Sequence, residues 1–108
     1  MIITLTKLED LLKEITTSVF HNEAFKASAP YIVYSEYRKR NKFADNRPLV
    51  GAWRVQVDYY TKLHIDINSC RIEELLYENE IPFKHNKVFD AELKLNRHIF
   101  DLDGVHDG

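Results

Sequence analysis

One cysteine, Cys70, stands in 108 residues. That count excludes an intrachain disulfide and a zinc cage built from thiolates, and it fits a reducing compartment. Glycine is scarce: there are three, and Gly104 and Gly108 both sit in the last five residues. A phosphate cradle made of successive backbone N–H groups is therefore not expected, and no GxSxG nucleophile motif is present. No apolar run approaches the ~18 residues of a membrane span. The opening residues MIITLTKLEDLL lack the small-residue cleavage site of a secretory signal. Excess charge is missing too. Fifteen basic residues face seventeen acidic ones, for a net charge of −2, so any pull toward a polyanion has to be local. What remains is a composition of 44% hydrophobic and 30% charged residues, that of one ordinary globular domain, expected in the cytoplasm.

Periodicity divides the chain into six expected elements. Thr6 and Glu9 match a capping box, and Leu8, Leu11, Leu12, Ile15 and Val19 recur at helical spacing, which predicts a helix over 7–20. After a connector over 21–29, Pro30 opens a strand over 31–37, where a missing N–H is tolerated. Residues 49–61 alternate more cleanly. Trp53, Val55, Val57 and Tyr59 share a core face, and Arg54, Gln56, Asp58 and Tyr60 share the other. Asp66 or Asn68 caps a second helix over 67–79, with Ile72, Leu75 and Leu76 as its apolar stripe and Pro82 just past its end. Strands over 82–89 and 93–102 follow, joined by a turn at 90–92. The order α-β-β-α-β-β predicts a single α+β domain over 1–102, with two helices packed on one face of a four-stranded, mostly antiparallel sheet. Residues 103–108 read as a flexible tail.

Candidates for chemistry are few. A metal would need His64 with Asp66, or His85 with His98 across the last hairpin, and neither pair has a dedicated ligand spacing. Glu73, Glu74, Glu78 and Glu80 lie opposite the apolar stripe of the second helix and read as a solvated face. Asp101, Asp103 and Asp107 lack the glycine and the terminal glutamate of a calcium loop. Cys70 reads as a partly buried helix cysteine with no base beside it. The residues thus predict no catalytic site, no metal, no cofactor and no enzymatic activity.

The informative stretch is 38–47. Arg38, Lys39, Arg40, Lys42 and Arg47 fall in ten residues with Asp45 as the sole acid, a net +4 inside a chain of net −2, so the remainder carries six net acids. Aromatic residues interleave loosely at Tyr37 and Phe43, as in single-strand nucleic-acid binders, but such binders spread positive charge over a whole face. A long charged hairpin loop that docks on an acidic protein surface is the preferred reading. Arg54 and Tyr60 on the non-core strand face are of the type that anchors interfaces.

The phrases PYIVYSEY, ADNRPL, WRVQVDYYTK, IEELLYENEIPF and VFDAELKLNRHIFDL, in this order over roughly residues 5–102, resemble the small tail-completion, or tail-terminator, proteins of long-tailed bacteriophages and prophages. The resemblance implies a structural virion protein without enzymatic activity or cofactor. It implies a homo-oligomeric ring, usually a hexamer, that caps the head-proximal end of the tail tube and offers a surface to the head–tail connector protein. DNA would pass through the ring without sequence-specific binding. The free protein would be a monomer in the host cytoplasm during assembly and would end in the virion tail, with no membrane partner. The family has no short motif that fixes site residues. The alternatives are a head–tail connector (neck) protein and a nucleic-acid-binding module using 38–47. The expected partner-binding residues are Arg38, Lys39, Arg40, Lys42, Arg47, Arg54 and Tyr60.

Overall fold

A computed structural model describes residues 3–24, 27–40, 43–44, 47–48 and 52–106. In chain order they form β1 (Ile3–Thr4), α1 (Leu5–Leu12), β2 (Val19–His21), β3 (Tyr31–Arg40), β4 (Phe43–Ala44), β5 (Arg47–Pro48), β6 (Ala52–Thr61), α2 (Ile67–Glu78), β7 (Phe83–Asp90) and β8 (Leu95–His106). The expected mixed α+β class with two helices is present. The sheet has six strands and not four, and its order is β1-β8-β6-β3-β2, with β7 also paired to β8.

The centre of the sheet is antiparallel, as expected, in β3–β6, β6–β8 and β7–β8. Two short parallel strands were not expected. β2 pairs with β3 through Val19↔Ile32, and β1 pairs with β8 through Ile3↔Val105. β2 begins in the stretch expected to be helix, and β1 pairs with the stretch expected to be tail. The first helix does not run to residue 20. It is capped by Thr4, whose hydroxyl accepts from the Lys7 N–H at 3.1 Å, and not by Thr6. It ends at Leu12, and Ile15 and Val19 lie beyond it. Thr16, Thr17 and Ser18 explain the stop, because short hydroxyl side chains offer the backbone non-helical partners. Thr16 Oγ1 indeed accepts from the Ser18 N–H at 3.3 Å. The expected flexible tail is strand as far as His106. Gly104, at φ +78°, lies where the β6–β8 register shifts by a bulge, a conformation glycine adopts without a steric penalty. The bulge carries Val105 into full burial beside Ile3.

The second helix matches its expectation. Asp66 caps it, and Ile72, Leu75 and Leu76 are buried. Its end is a Schellman turn. The Ile81 N–H donates to Leu76 C=O at 2.9 Å, the Glu80 N–H to Tyr77 C=O at 3.0 Å, and Glu80 takes φ 56°. Ile81 and Leu76 both join the core.

One face of the sheet carries both helices. Leu8, Leu12, Ile72 and Leu76 merge with Ile32, Val55, Val57, Tyr59, Phe100 and Leu102 in a single buried cluster. The alternation read in 53–59 is thus the core face, with Trp53 partly buried at its margin. Among the described residues no helix is long and apolar enough to cross a membrane.

Candidate functional site

The face of the sheet turned away from the helices is built by alternation. Gln56, Asp58 and Tyr60 of β6 lie beside Ser35, Val33 and Tyr31 of β3 and beside Asp101, Ile99 and Arg97 of β8. Its side chains form one connected strip. Phe20 meets Tyr31 edge-on at 6.3 Å, and Tyr31 stacks on Tyr60 at 4.7 Å between ring centres. The Arg97 guanidinium lies 5.7 Å over the Tyr60 ring and donates through Nη2 to Asp58 Oδ2 at 2.8 Å. Gln56 Nε2 donates to both Asp58 oxygens, at 3.0 and 2.9 Å.

The electrostatics follow from this packing. Burial works against the Arg97 charge, but the hydrogen bond and the charge of Asp58 outweigh it and raise the guanidinium pKa. Burial first, and then the Asp58 charge, raise the Tyr60 phenol, so it stays neutral. The strip joins aromatic rings to a guanidinium, side chains of the kind that anchor protein interfaces.

The expected partner-binding residues divide between this strip and the hairpin arm. Tyr60 lies in the strip. Arg54, on the same face, is half-buried, and its Nε is buried without a hydrogen-bond partner among the described residues. Arg38, Lys39 and Arg40 are not in a loop. Their backbone continues β3 and pairs with Arg54, Trp53 and Ala52 after a bulge next to Glu36. Arg47 belongs to β5, which pairs with β4 through Phe43↔Pro48 and Ala44↔Arg47. Among the described residues of the expected loop, Arg38–Arg40 extend β3, and Phe43, Ala44 and Arg47 are paired as strand. Lys42 lies outside the described residues, as does Asp107.

A second cluster contains the histidine pair that the sequence offers for a metal. His85 and His98 are neighbours on β7 and β8, and His85 Nε2 meets His98 Nδ1 at 2.9 Å. His85 Nδ1 bonds the Glu73 carboxylate of α2. Glu73 makes this bond with its side chain still 42% exposed, and Glu74, Glu78 and Glu80 are exposed as expected. Both ring nitrogens of His85 are taken, and among the described residues no group of three or more His, Cys, Asp or Glu is arranged to hold a metal. The other pair, His64 with Asp66, is not assembled. The Asp66 carboxylate is filled by Tyr59, Thr61 and the Asn68 N–H, and His64 is exposed. Cys70, expected partly buried, is exposed.

The histidine cluster has a measurable consequence. Burial, then the charges of His85 and Lys87, push the His98 pKa below its ordinary 6.5, against the opposing pull of Asp66 and Glu73. A depressed histidine favours the unfolded state once that state protonates. Its stabilising effect is present above pH 6.5 and is lost as the pH falls from there toward the folded value. Urea unfolding measured from pH 8 to 5 should show falling stability in that window, and His98→Gln should flatten it. An unchanged slope in the variant would assign the effect to other groups.

Comparison with family models, with curated proteins and with solved structures finds no match.

Proposed function

We propose that the chain is a ring-forming assembly protein of the tail-terminator kind, which caps the head-proximal end of a tail tube and presents a surface to the head–tail connector. The observation that carries this reading is the basic hairpin. Strands β3 and β6 run ten residues each, and β4 and β5, between them in the chain, pair with each other as a separate two-stranded sheet. The chain has an overall extent of 49 × 27 × 21 Å. An elongated shape, a basic stretch carried on β3 and a second sheet face without a helix suit head-to-tail contacts between copies, which close into a ring when the rotation between neighbours permits. The resemblance of the sequence to tail-completion proteins points the same way. In this reading Arg38, Lys39, Arg40, Lys42 and Arg47 dock the arm, and Arg54 and Tyr60 belong to the sheet-face contact. DNA passes through the ring without base-specific contact.

The test is polymerisation of the tail-tube protein encoded with this chain. Tubes grown with the chain should stop at a limited length and carry it at one end. Tubes of unlimited length that never co-sediment with the chain would end the proposal. The concentration of positive charge in 38–47 favours one other reading, a nucleic-acid-binding module. That reading requires binding that weakens steeply with salt and disappears when Arg38, Arg40 and Lys42 are all replaced by alanine.

A further inference from the structure

The helix face of the molecule holds a groove between α1 and α2. Its floor is apolar: Leu11 and Leu75 are almost buried and Ile15 is half-buried. Its rim is acidic. Glu14 stands on one side and Glu74 and Glu78 on the other, all exposed. The single basic residue at the rim, Arg71, donates to Asn68 Oδ1 at 3.3 Å. The backbone adds to the negative potential. Both helices bring their C-terminal ends to this groove, and neither has a basic residue in its last turn. The last carbonyls of a helix carry the negative end of its dipole and favour a cation nearby. A groove with an apolar floor, an acidic rim and two negative helix ends fits a peptide that carries several cations and an apolar side chain.

The chain itself contains such a peptide. Residues 38–43 read RKRNKF, four cations followed by a phenylalanine, in a molecule whose remaining residues are net acidic. Arg38, Lys39 and Arg40 are held in their own sheet by pairing with residues 52–54, and no residue of β3 or β6 lines the groove. We infer that the groove between α1 and α2 receives the basic segment around residues 38–43 of a second copy of this chain. The contact is heterologous: donor and acceptor surfaces differ, and every copy has one of each. Contacts of that type build rings or filaments. The inference rests on the ring reading for its biological sense and gives the arm a partner, namely the neighbouring subunit.

The test is fluorescence anisotropy of a labelled synthetic peptide spanning residues 36–48, titrated with the full chain at low salt. Saturable binding is expected. It should weaken at least about tenfold in a Glu74→Lys, Glu78→Lys double variant, as loss of opposite charges at an interface does. A peptide carrying Arg38→Glu, Lys39→Glu and Arg40→Glu should recover affinity for that variant. The replaced groove residues are exposed, and an unchanged thermal midpoint checks that the variant is folded. Equal binding to wild type and to the double variant would overturn the inference. So would the absence of saturable binding to wild type. Binding seen only with a full chain whose own residues 38–40 have been reversed would place the segment in its own groove and overturn the second-copy assignment. Tube capping is a separate readout. Peptide binding without capping removes the terminator reading and leaves the groove contact standing, and capping without peptide binding does the reverse.

Discussion

Replacing Asp66 by alanine should destabilise the fold by about 3–7 kcal/mol, the sum of one lost helix cap and two stranded hydroxyls. The carboxylate accepts from Tyr59 Oη at 2.7 Å, from Thr61 Oγ1 at 2.6 Å and from the Asn68 N–H at 2.9 Å. It therefore joins the end of β6 to the start of α2 across five to seven residues. Alanine removes the cap, worth about 1 kcal/mol. It also leaves two buried donors without their acceptor, at roughly 1–3 kcal/mol each. Asp66→Asn keeps an acceptor oxygen and an equally good cap residue, so it should cost clearly less. Denaturant midpoints of the two variants are the measurement, and a loss below about 1 kcal/mol for alanine would mean that water or a neighbour replaces the carboxylate.

The same site sets a pH dependence at each extreme. Burial alone would raise the Asp66 pKa, but the hydrogen bonds from Thr61, Tyr59 and Asn68 prevail and hold it below 3.8. Its contribution is therefore present above that value and is lost as the pH falls through the folded pKa. Burial, and then the bond to Asp66, push the Tyr59 phenol up to about 12 from 10.0. That contribution is complete below pH 10 and disappears as the pH rises through the folded value.

Phe100→Ala is expected to cost about 3–5 kcal/mol, the range for emptying a large aromatic site in a core. Phe100 is fully buried on β8, with Val57 beside it on β6 and His85 beside it on β7. It stacks on His85 at 4.3 Å and 13° and packs against Phe83 at 6.2 Å. Three strands thus meet around it, and the cavity has little freedom to collapse. Trp53→Ala, at the margin of the core, should cost less despite the larger side chain. Chemical denaturation orders the two variants, and a reversed order would show that Trp53 and not Phe100 anchors the sheet.

The legible parts of this fold were those with an unbroken period. Val55, Val57 and Tyr59 alternate without interruption, and their strand and core face follow directly. Asp66 stands just ahead of the stripe Ile72, Leu75 and Leu76, so α2 could be placed almost to the residue. The sequence misleads where one period imitates another. Val19 lies four residues after Ile15, which is helical spacing, yet it enters a three-residue parallel strand whose partner, Ile32, is remote in sequence. The segment after Leu102 reads as an acidic tail because the bulge near Gly104 breaks the alternation that would mark Val105 as core. The His85–His98 contact follows from the expected last hairpin, whereas Glu73 has no local signal, since only the docking of α2 brings it to His85. Of the candidate surface, Tyr60 was legible from its strand face. Arg97 and Asp58 as a joined pair were not, because they are 39 residues apart.

The position of β8 has a consequence for biosynthesis. β8, the last of the described strands, is not an edge. It is gripped by β6 on one side and by β7 and β1 on the other. Until residues 95–106 leave the ribosome, β6 lacks one partner, β7 has none, and the N-terminal strand has nowhere to pair. A nascent chain lacking this stretch holds open strand edges and an incomplete core, so folding is completed only after translation of that stretch. Pairing across nearly the whole length of the chain also carries a high loop-closure cost, which slows the rate at which the sheet closes.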